Sequence, residues 1–209
     1  MKLSIVTLLL LVALSFCAFA QEFQPDLSQW DISLLRQAKT SSFGLFTPMQ
    51  SGQVIFYCNL ARMDGALFVK TILKPYLEAK GDTEFSEYKQ SLVNDLNSLR
   101  PLKPLKSNVV LNIMAKSYAR SSGKKGIVGH ERFDQRFWLL ERLGRTVGEN
   151  CDYGEENPLD VVISLLIDDG VENLGHRYNI LSRQFSKVGV GSGIHTEYGI
   201  DYVMDFSGQ

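Results

Sequence analysis

The ten residues from Pro158 to Ile167 constrain this chain more than any others. Asn157-Pro158 supplies a cap residue and a proline at the first helical position, so the run reads as a helix. Val161, Val162, Ile163, Leu165, Leu166 and Ile167 leave it apolar almost all round. A helix with no face to give to water must be covered from more than one side. It should therefore lie deep in the protein, and the flanking patterns supply what covers it. Ser51 can cap a helix carrying Val54, Cys58 and Ala61 on one face. Asp64 caps a second, with Phe68, Ile72 and Val69, Leu73 at i, i+4 spacing, closed by Pro75 and Gly81. Ser86 to Leu99 is a third, with Leu92 and Leu96 inward. Ser107 caps a fourth, with Leu111, Ala115 and Val110, Met114, Tyr118, ending at Gly123. Glu131 to Leu143 is helical and Gly144 ends it. Lys187–Ile194 and Gly199–Phe206 read as strands joined through His195–Tyr198. Several helices before a terminal hairpin indicate an α+β fold, with helices on a small, largely antiparallel sheet.

The first twenty residues stand apart. Lys2 precedes an apolar run from Leu3 to Phe16, and Ala18-Phe19-Ala20 offers small residues where a signal peptidase reads. The run is short for a spanning helix, so residues 1–20 are expected to be a cleaved secretory signal leaving Gln21 as N-terminus. Phe16 is too large to precede a lipid-bearing Cys17. Residues 21–49 read as an N-terminal arm with a short helix around Trp30–Leu35, and 50–209 as one domain. The chain has 22 Lys and Arg against 23 Asp and Glu, and losing Lys2 moves the net charge from −1 to −2. That balance, without basic runs, argues against a nucleic-acid partner. No later segment is apolar for long enough to span a membrane. Cys58 and Cys151 remain after cleavage, and their spacing leaves pairing open.

Three histidines occur, and two have unusual neighbours. His130 follows Gly129 and precedes a helix, whose N-terminal partial charge disfavours a protonated ring. His176 lies in Gly175-His176-Arg177, just after Asp168 and Asp169. Those two acids end the deep helix, where the partial charge is already negative, so a cation, Arg177 or solvent has to compensate. Glu149, in Gly148-Glu149-Asn150-Cys151, suits either an ordinary turn or an acceptor that orients a histidine N–H. His195, between the strands, reads as structural or exposed. Gly129-His130-Glu131-Arg132 lacks the second histidine of a zinc-protease helix. Gly189-Val190-Gly191-Ser192-Gly193 has the wrong offsets for a nucleophile elbow or a dinucleotide loop.

Taken in order, Phe56–Arg62, Gly129-His130, Gly148-Glu149-Asn150, Leu165–Val171, Gly175–Leu181, Val188–Gly191 and Val203–Phe206 resemble the bacterial branch of the CAP superfamily (cysteine-rich secretory, antigen 5 and pathogenesis-related-1 proteins). The resemblance implies a three-layer α-β-α sandwich. It also implies a cleft of two histidines and two acids, matched here by His130, His176, Glu149 and Asp169, with Asp168 as the alternative second acid. Leu166 and Asp169 stand where eukaryotic members carry tryptophan and glutamate. The resemblance assigns divalent-cation binding to His130 and His176, and neutral imidazoles with water suit zinc.

Three functions fit. One is a secreted, extracellular or periplasmic module whose cleft binds a divalent metal and a small, lipid-like or cell-envelope ligand. Another is a metal-assisted hydrolase of peptide, ester or cell-wall substrates, with Glu149, His130, His176 and Asp169 as its catalytic set and Cys151 as an alternative nucleophile. The third is an interaction or toxin-like module with a purely structural cleft. The sequence leaves open whether the cleft catalyses anything, and it leaves the oligomeric state open.

Overall fold

The computed structural model describes residues 22–41, 48–84 and 86–209. The expected signal, residues 1–20, and its cleavage point lie outside them. Along the chain come α1 (Ile32–Ala38) and α2 (Met49–Met63). Next, α3 (Gly65–Phe68) runs through a π-helical turn (Val69–Leu73) into α4 (Lys74–Ala79). There follow α5 (Glu87–Ser98), β1 (Lys106–Ser107), α6 (Val109–Gly123), α7 (Phe133–Arg142), β2 (Val147–Tyr153), α8 (Pro158–Ile167), α9 (Gly175–Leu181), β3 (Phe185–His195) and β4 (Gly199–Gly208). The sheet of described residues has the order β1-β3-β4-β2. Only the short β1–β3 pair is parallel. The expected α+β sandwich is the observed fold.

Alternation along the strands divides the protein into two packed faces. Tyr202, Met204 and Phe206 of β4 face α2 and α8 and join the larger core with Val54, Leu60, Val162 and Leu166. Val203 faces α6 and packs with Ala115, Tyr118, Ala119 and Cys151. The deep helix α8 has all its residues buried except Asp160 and Ser164. Its C-terminal carbonyls end against Arg177, a fully buried guanidinium that donates to the oxygens of Leu166 (2.6 Å) and Ile167 (2.8 Å). Carbonyls left over at a buried helix end need such donors.

The glycines of β3 let α6 sit directly on the sheet. A Cβ at Gly189 would lie 2.0 Å from the carbonyl carbon of Leu111, and one at Gly191 would lie 2.2 Å from the nitrogen of Lys116. This glycine run is thus a packing surface. The described part of the arm docks on the domain. Trp30 donates its indole N–H to Thr71 Oγ1 (2.9 Å), and the Asn59 amide donates to the Ala38 oxygen (2.9 Å).

Several local expectations are corrected. Pro48, not Ser51, precedes the first turn of α2, and Ser51 is buried inside that helix. Asn108, not Ser107, caps α6, because its side chain reaches the Leu111 N–H while Ser107 is taken up by pairing in β1. The helix expected from Glu131 begins at Phe133, after Arg132 in a left-handed conformation. Of the two alternatives left open for Cys58 and Cys151, the structure shows separate buried thiols.

Candidate functional site

β2 is an outer strand, and its consecutive side chains serve opposite sides of a cleft. Glu149, Cys151 and Tyr153 point toward α6, while Asn150 points toward α9. Glu149 therefore lies inside a strand, which ends the turn alternative.

Two phenols fix the loop before α7. Tyr118 Oη donates to the Gly129 oxygen (2.7 Å) and accepts from the Glu131 N–H (2.8 Å), and Tyr153 Oη accepts from the Gly129 N–H (2.8 Å). His130 Nδ1 is thereby held 2.8 Å from Glu149 Oε1. Arg136 Nη2 donates to the same oxygen (2.8 Å), and Arg136 Nη1 pairs with Glu149 Oε2. The guanidinium stacks 3.6 Å above the Tyr118 ring. Burial alone would raise the Glu149 pKa. The hydrogen bonds from Arg136 and His130, with the Arg136 charge, outweigh burial and hold it below the usual carboxylate range. The helix dipole expected to act on His130 gives way to this carboxylate, because two residues separate the ring from α7.

The second histidine is built the same way. Asp168 ends α8 in a left-handed conformation (φ 58°), which turns its carboxylate back toward the start of α9. Asp168 Oδ2 accepts from the backbone N–H of His176 (2.9 Å) and of Arg177 (3.2 Å), and Oδ1 meets His176 Nδ1 at 2.7 Å. These donors supply the compensation that the paired acids demanded. Asn150 Nδ2 donates to the His176 oxygen (2.9 Å) and ties the turn to β2. Asp169 is exposed and lines the cleft, and no hydrogen bond joins it to His176. Asp168, not Asp169, is the acid that touches the histidine, because the left-handed cap aims the earlier side chain inward.

The two imidazoles face each other with ring centroids 6.3 Å apart. The His130 side chain is 45% exposed and that of His176 23%, whereas those of Glu149 and Asp168 are 0% and 1%. Each ring therefore reaches the cleft while its carboxylate stays sealed beneath. In a neutral ring, Nδ1–H donates to the carboxylate and Nε2 keeps a free lone pair. A cavity of about 290 Å³ adjoins His176, lined by Asp152, Asp168, Asp169, Tyr153 and Ser164 among others. His130, Glu149 and Cys151 also offer ligand atoms within 4.8 Å of one another, a group that could hold a metal ion. His195 is buried, and its Nδ1 accepts from the backbone N–H of Glu197 (3.2 Å) and Tyr198 (3.3 Å). Of the two roles expected for it, the structural one holds.

Sequence reasoning missed Arg136, Tyr118 and Tyr153. Arg136 left one signal, a cation between Phe133 and Phe137 that needs a carboxylate facing it.

The family model for cysteine-rich secretory proteins (CAP) matches residues 90–206, more than half of the chain. The chain belongs to the CAP family. His130, Glu149, Asp168 and His176 all fall within the matched span. The uncharacterized protein YkwD of Bacillus subtilis (strain 168) is 28% identical over 132 residues, 59% of this chain. That agrees with the bacterial branch expected from the sequence, and the CAP chain spans 48% of YkwD's length. Among solved structures, a cysteine-rich secretory protein of Staphylococcus aureus Mu50 is 20% identical at a TM-score of 0.39, covering 58% of this chain and 36% of its own. An outer surface protein of Borrelia burgdorferi is 21% identical at 0.42, covering 58% and 89%. BmVAL-1 is 14% identical at 0.40, covering 79% of each chain. Among the described residues of this CAP protein, no helix is long and apolar enough to cross a membrane.

Proposed function

We propose that this CAP protein is exported and acts as a binding module, holding a divalent cation between His130 and His176 and a small envelope-derived ligand beside it. One observation carries the reading: both imidazoles have Nδ1 held by a buried carboxylate while the ring itself stays open to solvent. Carboxylate–histidine pairs of this kind orient and strengthen metal ligands. Two imidazoles on one tetrahedral zinc place their centroids roughly 5 Å apart, so rings at 6.3 Å need to close by about 1 Å. The trio with Glu149 and Cys151 is the poorer donor set. Arg136 already occupies Glu149, and burial pushes the Cys151 thiol well above its usual range. When bound, a zinc ion would supply Lewis-acid character to a ligand oxygen. The chain's own residues fix the ring tautomers and shield the carboxylates from water. The cavity beside His176 mixes Asp169 and Ser164 with Leu165, Val171 and Tyr153, a lining that suits a small, lipid-like or cell-envelope ligand. Hydrolysis is the second reading, resting on the same histidine–carboxylate pairs. A Cys151 nucleophile has no support in a thiol so buried and so hard to ionise.

Zinc titration of residues 21–209 by calorimetry tests the proposal, beside His130→Ala and His176→Ala. One equivalent bound by the parent and lost in both variants supports it. No binding, or equal binding in the variants, overturns it. Sequencing the N-terminus of protein recovered outside the cells tests export, with Gln21 expected first.

A further inference from the structure

Glu149 of β2 and Asp205 of β4 stand directly opposite each other in the sheet. Cross-strand neighbours share a face, and two ionised acids there repel. Asp205 is fully buried, and neither of its carboxyl oxygens receives a hydrogen bond. On its other side it pairs with Gly189 of β3, which brings no side chain. The charged and titratable groups around the pair are Arg136 from α7, Tyr118 from α6, and His130 and Cys151. Arg136 is the one permanent cation among them, and it is committed to Glu149. One cation and two buried carboxyls leave one acid that must keep its proton. The bonding pattern says which. Glu149 Oε1 accepts from both His130 and Arg136, while Oε2 accepts from Arg136 alone and has a lone-pair site unfilled.

We propose that Asp205 is a positioning residue for His130: it remains a neutral acid and donates its proton to Glu149 Oε2, locking the carboxylate that orients the ring. Burial and the neighbouring Glu149 push Asp205 well above its ordinary value, in keeping with this assignment. With Asp205 as donor, all four acceptor sites of Glu149 are filled, and its carboxylate plane is fixed beneath the imidazole. The consequence for cation binding rests on the reading proposed above, but the hydrogen bond itself does not.

The test uses metal-free protein of residues 21–209, with Asp205→Asn and Asp205→Val. The Asn amide can still donate to Glu149, and Val cannot. Infrared difference spectra at about pH 8, above the values for Asp152 and Asp201, should show a carboxylic-acid C=O band in the parent that Asp205→Asn lacks. Nitrogen NMR should find the His130 Nδ1–H tautomer in the parent and in Asp205→Asn, and a mixture in Asp205→Val. Absence of the acid band overturns the proposal, as does an unchanged tautomer in Asp205→Val. Both readouts are independent of metal, so a parent that binds no zinc would remove only the cation reading. If zinc does bind, Asp205→Val should weaken it about tenfold, and Asp205→Asn by less than about twofold.

Discussion

His130 and His176 approach the outer strand β2 from opposite faces and meet with ring centroids 6.3 Å apart. They reach it by different routes. One hangs from a loop pinned by Tyr118 and Tyr153, the other from a turn closed by Asp168. The route to His176 separates the two adjacent acids experimentally. Asp168→Asn removes the charged acceptor of three donors, and should lower zinc affinity by about 10–100-fold and stability by about 1–3 kcal/mol. Asp169→Asn, at an exposed position, should stay within about 0.5 kcal/mol in urea unfolding.

The seat of α6 on β3 leaves no room for a methyl group. Gly191→Ala places a carbon against the Lys116 backbone, and backbone cannot swing aside as a side chain would. The expected cost is about 2–3 kcal/mol in chemical denaturation. An unchanged midpoint would mean that helix and sheet lie farther apart than described.

Asp152 gives the protein a pH dependence. Burial pushes its carboxyl up to about 7, above the unfolded value near 4. Between those values the folded state keeps a proton that the unfolded state has released, so this group's stabilising contribution is full below about pH 4 and fades as pH rises through about 7. Asp152→Asn removes that decline. Parent and variant should differ little at about pH 4, and the variant should be more stable by on the order of 4 kcal/mol at about pH 8. Parallel stability curves across that range would show that Asp152 is not held neutral.

Both thiols are sealed. Cys58 is fully buried and its pKa is pushed up to about 12 by desolvation. Residues 21–209 should therefore show no fast-reacting thiol toward a disulfide reagent when native, and two on unfolding. Two silent cysteines in both states would indicate a disulfide instead.

The sequence by itself determined most of the helices and the terminal hairpin, but not β1, β2 or α9. The all-round apolar α8, the cap at Asp64, and the terminal hairpin are local signals of period and end chemistry, which a single strand of text records. His130, His176 and Glu149 were legible as candidates because each has odd neighbours. What tertiary structure decided is how those residues pair. Whether Asp168 or Asp169 meets His176 depends on one left-handed residue at a helix end. Arg136 and Asp205 became partners of Glu149 only when α7 and β4 packed against β2, bringing together residues 13 and 56 positions away from it in the chain. Composition and spacing carry no record of such contacts. They arise from strand register and helix docking, which the burial of the core as a whole selects.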